Sequence, residues 1–377
     1  MDILVIGNGF DLAHKLKTSF KDFLEFCEQK YYKKIPNWIN YGTSFIDNIW
    51  LRHFITRRQE LGNNWIDLEE EIFNVIKAVT RIIGKLPYGE DTIEFPVRFS
   101  IEKDITYFSF YKLKDYLVTT NNINLNNNKQ YEKMETNDFS RLYTYIQSYD
   151  GLINFLYDKL REFTKGFEDY LKNDVLAKMP NNSKFQLSLQ SIGVQPKSQD
   201  VFVLSFNYTN TCEILYKQKF NTYCNLRIKP IYVHGRVCDS GNCNLILGTQ
   251  SFANNDIPVN FNVFKKHNQR HRYGTIEAYQ DFLMKLLTNP RMNARPIFHV
   301  IGHSLDKTDH NILKHVFLAN KNAIINIYYH DEEAQERLIN NITEIIGEEE
   351  VMAKVRLIYQ HDKERGILRY KDETIVI

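Results

Sequence analysis

Apolar positions recur along the chain in two patterns, unbroken short runs and spacing at three or four residues, and their alternation outlines the fold. The first run, Ile3 to Ile6, ends at Gly7-Asn8-Gly9 and passes into helical spacing at Phe10, Leu12, Ala13, Leu16, Phe20, Phe23 and Leu24. A continuous apolar run suits a strand buried on both faces, and the longer spacing suits an amphipathic helix. Strand, tight turn and helix are predicted. Two helical stretches follow between His53 and Gly84, the second with Leu68, Ile72, Val75, Ile76 and Val79 behind Glu69-Glu70-Glu71. Acidic residues in a first turn complement the helix dipole, so this run predicts a solvated helix start rather than acid–base chemistry. Periodicity fades between 87 and 138, and the Asn-rich stretch Asn121–Lys129 predicts a mobile loop or insertion. From Phe139 to Lys178 the stripe Leu152, Phe155, Leu156, Leu160, Phe163, Phe167, Tyr170 and Leu171 again predicts helix.

Beyond Asp200 the short runs return. Val201–Ser205, Ile228–Val233 (shortened by its Pro), Leu245–Leu247, Ile297–Ile301, Ile324–Tyr329 and Val355–Tyr359 are predicted strands. Helical spacing separates several of them, over Thr209–Phe220, Thr275–Leu287, Asp309–Ala319 and Glu332–Gly347. Short apolar strands alternating with amphipathic helices predict an α/β fold with a doubly wound, mostly parallel sheet. Residues 1–42 and 200–377 are assigned to this core, and 43–199 to a mostly helical insertion carrying the Asn-rich loop.

Composition narrows the classes. A formal charge of +2 over 377 residues gives no electrostatic case for a nucleic-acid binder. The cysteines (Cys27, Cys212, Cys224, Cys238 and Cys243) are odd in number and form no framework, which predicts reduced thiols. Cys238 and Cys243 flank a turn, and a zinc site there would draw on Cys224 and His234; free thiols are the simpler reading. No signal-peptide pattern and no apolar stretch of ~20 residues is present, so a soluble, cytoplasmic protein without membrane partners is expected.

In a doubly wound sheet, ligands sit beyond the carboxyl ends of the strands. There the sequence supplies Gly7-Asn8-Gly9-Phe10-Asp11, Ser205-Phe206-Asn207-Tyr208-Thr209, His234-Gly235-Arg236, Gly248-Thr249, Gly302-His303-Ser304-Leu305-Asp306-Lys307-Thr308-Asp309 and His330-Asp331. Each has a plainer reading: Asn207, Ser304, Asp306 and Asp309 as helix caps or first-turn residues, His234 as a turn histidine. The opening Gly-x-Gly lacks the third glycine of a dinucleotide fingerprint. Asp11 sets a carboxylate where pyrophosphate would lie, which suits a helix cap or a sugar hydroxyl better than a phosphate. No Walker motif is present, and Arg236 and Lys307 are the only basic residues at these edges.

Gly-Asn-Gly-Phe-Asp-Leu-Ala-His (7–14), Ser-Phe-Asn-Tyr-Thr-Asn-Thr (205–211), Val-His-Gly (233–235) and Gly-His-Ser-Leu-x-x-x-Asp (302–309) together resemble the bacteriophage abortive-infection AbiH family, as does Trp65-Ile-Asp-Leu-Glu. The set is more distantly similar to SIR2-like domains, several of which hydrolyse NAD+ in phage defence. That resemblance implies a Rossmann-like, SIR2-like sheet with a helical insertion. It places Gly7 and Gly9 on the glycine turn, Asn207 and His234 on the motif's Asn and His, and Gly302 and Ser304 on a later phosphate- or ribose-contacting turn. Two departures stand out. Thr209 replaces the usual Asp after Asn-Tyr, and Phe10-Asp11 has no simple counterpart. The sirtuin zinc ribbon is also missing, which argues against deacylation.

The implied activity is cleavage of the nicotinamide–ribose bond of NAD+, as substrate or ligand and without a metal. Nicotinamide leaves as a neutral group, so the barrier lies in an oxocarbenium-like sugar. Asn207 would orient water or ribose hydroxyls, His234 (ordinary pKa about 6.5) would act as base, and Asp11 would hold a hydroxyl or stabilise positive charge. Binding is expected from Gly7, Asn8, Gly9, Phe10, Asp11, His14, Gly235, Gly302, His303, Ser304, Asp306 and Asp309, with the pyrophosphate at Gly7–Phe10. The alternative is an NAD- or ADP-ribose-binding sensor that performs no catalysis; a nuclease ranks last, for want of a basic face or metal-carboxylate spacing. A homo-oligomer through the helical insertion and an unidentified phage-derived trigger complete the expectation.

Overall fold

The computed structural model describes residues 1–32, 48–60, 67–83, 149–179, 185–187, 201–216, 230–238, 243–250, 259–289, 295–360 and 368–370. Residues 87–138, with the Asn-rich stretch, lie outside them. Two compact units divide the chain: Met1–Ser19, Glu168–Ile246 and Arg270–Ile377 form the first, Phe20–Phe167 and Leu247–Gln269 the second.

The first unit is organised on β1 (Asp2–Ile6), buried at every position as its apolar run requires. A six-residue helix α1 (Asn8–Ala13) follows it directly. The predicted continuous helix breaks here, because Lys15 adopts a left-handed φ of 64°. The second unit's helix α2 (Phe20–Cys27) then begins the spacing afresh. The second unit's other helices are α3 (Ile49–Glu60), α4 (Leu68–Ile83) and most of α5 (Tyr149–Tyr170). Back in the first unit come a short β2 (Phe185–Leu187), then β3 (Val201–Ser205) and β4 (Ile231–Tyr232). Helix α6 (Lys266–Arg272) was not legible as an apolar stripe. It is followed by α7 (Thr275–Thr288), β5 (Ile297–Ile301), α8 (His310–Leu318) and β6 (Ile324–Tyr329). The last elements are α9 (Glu332–Ile346), α10 (Glu348–Lys354), β7 (Val355–Tyr359) and β8 (Leu368–Tyr370), the last pairing antiparallel with β2.

The main sheet has six parallel strands in the order β4-β3-β1-β5-β6-β7. The chain winds outward from β1 to β3 and β4, returns to the other side of β1, and winds outward again through β5, β6 and β7. Register makes the strand ends level: Ile6 pairs with Ser205 on one side and with Ile301 on the other. The loops after β1, β3 and β5 therefore start from one row, which is what brings their polar residues together. Alternate side chains build the two faces. Ile3, Val5, Phe202, Leu204, Phe298 and Val300 form one core with α7, α8 and α9, while Leu4, Ile6, Val203 and Ile301 form another with Phe10, Cys212 and Tyr216. One predicted strand is not a strand. Leu245–Leu247 is buried but extended, with Ile246 N–H donating to His234 O at 2.8 Å.

The second unit packs Phe23, Phe54, Phe163 and Phe167 together, and the Trp50 indole donates to Leu156 O at 2.8 Å. Here the acidic run corrects its sequence reading. Asp67 caps α4 by accepting from the N–H groups of Glu69 and Glu70, and Glu70 is exposed. Glu69, however, pairs with the buried Lys266 at 2.7 Å. Glu71 accepts from His53 at 3.1 Å and Arg57 at 3.2 Å. Burial works to raise the Glu71 carboxyl, but the bonds from His53 and Arg57 and their charges hold it below its ordinary range. The run is an internal brace as much as a solvated helix start.

Candidate functional site

The loops after β1 and β5 interlock at their first residues. Gly7 N–H donates to Ile301 O at 3.1 Å and Gly9 N–H to Gly302 O at 2.7 Å. A Cβ on Gly7 would lie 2.4 Å from His303 Cα, and one on Gly302 (φ 64°) 2.2 Å from Phe10 N. Backbone stands on both sides of each contact, so only glycine fits. Phe10 N–H closes back on Gly7 O at 2.9 Å. The donors expected to hold a pyrophosphate at Gly7, Gly9 and Phe10 are thus engaged by protein carbonyls. These bonds fix the backbone of the turn.

Asp11, in the first turn of α1, is fully buried. Its Oδ2 accepts a hydrogen bond from the Thr209 hydroxyl, which in turn accepts one from Thr211 Oγ1 at 3.0 Å. Asn207, after β3, also acts on this carboxyl through its side chain. Among the described residues, Asp11 Oδ1 and Asn207 Oδ1 have no hydrogen-bond partner, although both are buried. Burial raises the Asp11 carboxyl to about 6, against the lowering effect of the neighbouring Thr209, Thr211 and Asn207 side chains. Positions 209 and 11 are therefore in contact: a hydroxyl stands at 209, and it serves a carboxylate at 11.

A second cluster arches over the ends of β3 and β1. His234 follows β4, whereas His303 and Asp309 follow β5, with β3 and β1 lying between the two strands. His234 Nε2 lies 2.9 Å from Asp309 Oδ1, and its Nδ1 lies 3.4 Å from Arg270 NH2. Arg270 itself lies 3.6 Å from Asp309 Oδ1, and His303 Nε2 lies 3.7 Å from Asp309 Oδ2. The partners assign the tautomers. His303 Nδ1 accepts the Leu305 N–H at 2.9 Å, so its proton sits on Nε2, toward the carboxylate. Likewise His234 presents Nε2–H to Asp309 and a lone pair at Nδ1 to the guanidinium. Phe206 packs beneath both rings, at 5.6 Å from His234 and 4.3 Å from His303. Leu305 holds the β5 loop in a left-handed turn with φ of 59°.

Other expected site residues serve different neighbours. His14 is buried; its Nδ1 donates to Phe10 O at 2.7 Å and its Nε2 accepts from Tyr216 OH at 2.5 Å. Asn8 is exposed and accepts from Thr18 at 2.6 Å. Asn341, on α9, donates to Ser304 O at 2.9 Å and to Asp306 Oδ1 at 3.2 Å. Gly235 closes the turn after β4 by donating to Tyr232 O at 3.3 Å. Arg236 pairs with Glu213 at 2.6 Å, which also takes the Tyr232 hydroxyl at 2.8 Å. Arg270 was missed from sequence because α6 carries no apolar stripe; its basic run was the one available signal.

A family model for bacteriophage abortive infection AbiH proteins matches residues 3–330. The chain belongs to the AbiH family. No curated protein matches it. The AbiH span runs from β1 to the end of β6, and so contains both clusters, Asp11–Asn207–Thr209 and His234–Arg270–Asp309. Among the described residues of this AbiH chain, no group of three or more His, Cys, Asp or Glu is placed to hold a metal ion. Cys27 and Cys212 are free thiols, Cys224 lies outside the described residues, and His234 is held by Asp309 and Arg270. Burial pushes the Cys27 thiol up to about 12. No helix among the described residues is long and apolar enough to cross a membrane.

Proposed function

We propose that this AbiH-family protein acts in abortive infection by hydrolysing NAD+ at the nicotinamide–ribose bond. The observation that carries the reading is the pair of buried acceptor oxygens, Asp11 Oδ1 and Asn207 Oδ1, without donors among the described residues, at the ends of adjacent parallel strands. A buried acceptor left unpaired costs about 1–3 kcal/mol, and ribose hydroxyls are donors of the right kind to relieve it. The strand order supports the same class of ligand. Renumbered within the sheet it is 3-2-1-4-5-6, the doubly wound order that binds dinucleotides where the winding reverses, beside β1. A carboxylate beside the ribose also suits the positive charge that grows on the sugar as neutral nicotinamide leaves.

Incubating the purified full chain with NAD+, alone and with lysate of phage-infected cells, tests this. Nicotinamide and ADP-ribose are the expected products, and Asn207→Ala is expected to abolish them. Intact NAD+ under both conditions would contradict hydrolysis. One observation favours a sensor instead: both ring nitrogens of His234, the expected base, are engaged. Tight ADP-ribose binding without turnover would select that reading.

A further inference from the structure

His234 is held at both nitrogens. Its Nε2 faces Asp309 Oδ1 at 2.9 Å and its Nδ1 faces the Arg270 guanidinium at 3.4 Å. To take a proton from water it would have to present Nδ1, turning a new N–H toward a buried cation. The ring is also wedged against Phe206 and Tyr208, with centroids 5.6 and 6.0 Å away. His303 offers no replacement, since its Nδ1 is occupied by the Leu305 N–H. Every basic nitrogen of this cluster has a partner that fixes it. Its geometry is that of a clasp joining the loops after β4 and β5 to α6.

Asp11 is built the opposite way. One oxygen is anchored by the Thr209 hydroxyl and backed by Thr211, which fixes the plane of the carboxyl. The other has no donor among the described residues and lies in a group with Asn207, whose own side-chain oxygen is likewise without one. The groups acting on its titration, Thr209, Thr211 and Asn207, are neutral, and the Cys212 thiol nearby has been raised by burial. A carboxyl oriented on one oxygen and open on the other is the arrangement a proton acceptor needs.

Resting on the hydrolase reading above, we propose that Asp11 is the proton acceptor of the site and that His234 is a positioning residue, held by Arg270 and Asp309. In the step this implies, the bond from ribose C1′ to the nicotinamide nitrogen breaks, and its electron pair passes to the pyridinium ring, which leaves neutral. Water oxygen bonds to C1′, and its proton passes to the Asp11 carboxylate and then to solvent. NAD+ and water give ADP-ribose, nicotinamide and a proton. Burial sets the Asp11 carboxyl at about 6, so it is ionised and still basic near neutrality.

The test measures nicotinamide release by the full chain, with infected-cell lysate, across pH 4.5–8.5, for wild type, Asp11→Asn and His234→Gln. Asp11→Asn should lose at least about 100-fold in kcat. His234→Gln should be slower but keep the wild-type fall in kcat below about pH 6, a limb that belongs to Asp11 and not to the imidazole. The reverse result, a limb lost in His234→Gln and kept in Asp11→Asn, overturns the assignment. Where His234→Gln does not fold, Asp11→Asn decides alone: kcat within about threefold of wild type overturns it. Wild type that binds ADP-ribose but releases no nicotinamide overturns the hydrolase reading itself, and this inference with it.

Discussion

Two polar clusters share one edge of the sheet and differ in how completely their groups are paired. Around Asp309, each buried partner points a donor at the carboxylate: His234, Arg270 and, more distantly, His303. Around Asp11, the Thr209 hydroxyl satisfies one oxygen, while the other and the Asn207 carbonyl have no donor among the described residues. Both clusters are buried, and apart from Arg270 both came from residues that sequence motifs had grouped as a single site. The difference separates a fully paired network from an under-paired one. A saturated buried network fixes geometry, whereas an under-paired one holds energy that a ligand can release.

Substitutions break the comparison at different depths. The deepest lies beneath both clusters, at the interlock of the β1 and β5 loops. Gly302→Ala drives a methyl group to 2.2 Å from Phe10 N at a left-handed φ. A loss on the order of 5 kcal/mol is expected, read as a collapse of the urea midpoint or as insoluble protein. Next is the saturated cluster itself. Asp309→Ala leaves the buried Arg270 without its carboxylate and should cost about 3 kcal/mol in the same measurement.

The under-paired cluster should respond in the other direction. The folded Asp11 carboxyl titrates at about 6, above its ordinary 3.8, so the folded state holds this proton more tightly than the unfolded chain. That contribution is complete below about pH 4 and is lost as pH rises through about 6. Asp11→Asn, which carries no charge, should therefore be more stable than wild type by roughly 2 kcal/mol at pH 8, and the gap should close at pH 4. Urea midpoints at the two pH values check both sign and window. The smallest effect is expected at Asn341, which meets Ser304 and Asp306 near the surface. Asn341→Ala should stay within about 0.5 kcal/mol of wild type.

The sequence made the sheet legible because β1, β3, β5 and β6 are short apolar runs with helical spacing between them, and burial on two faces leaves that signature. It misled where tertiary partners replace solvent or sheet. Glu69 and Glu71 looked solvated because their cations, Lys266, His53 and Arg57, come from other helices. Leu245–Leu247 looked like a strand because it is buried, yet no neighbouring strand pairs with it in the described residues. The candidate site residues were picked by their place after the strands. Their division into two clusters was not legible, since it depends on Arg270 from a helix with no apolar stripe and on which nitrogen of His234 faces which partner.

The central claim is that the donor-poor pair Asp11 and Asn207 receives a ribose-bearing ligand. Calorimetric titration of ADP-ribose into the full chain at pH 7.5, for wild type and for Asp11→Ala, tests it most directly. Binding by wild type and at least about a tenfold weaker Kd in the variant are expected, from the loss of a hydrogen bond to a charged group. Equal affinity in the two proteins, or no heat with either, would contradict it.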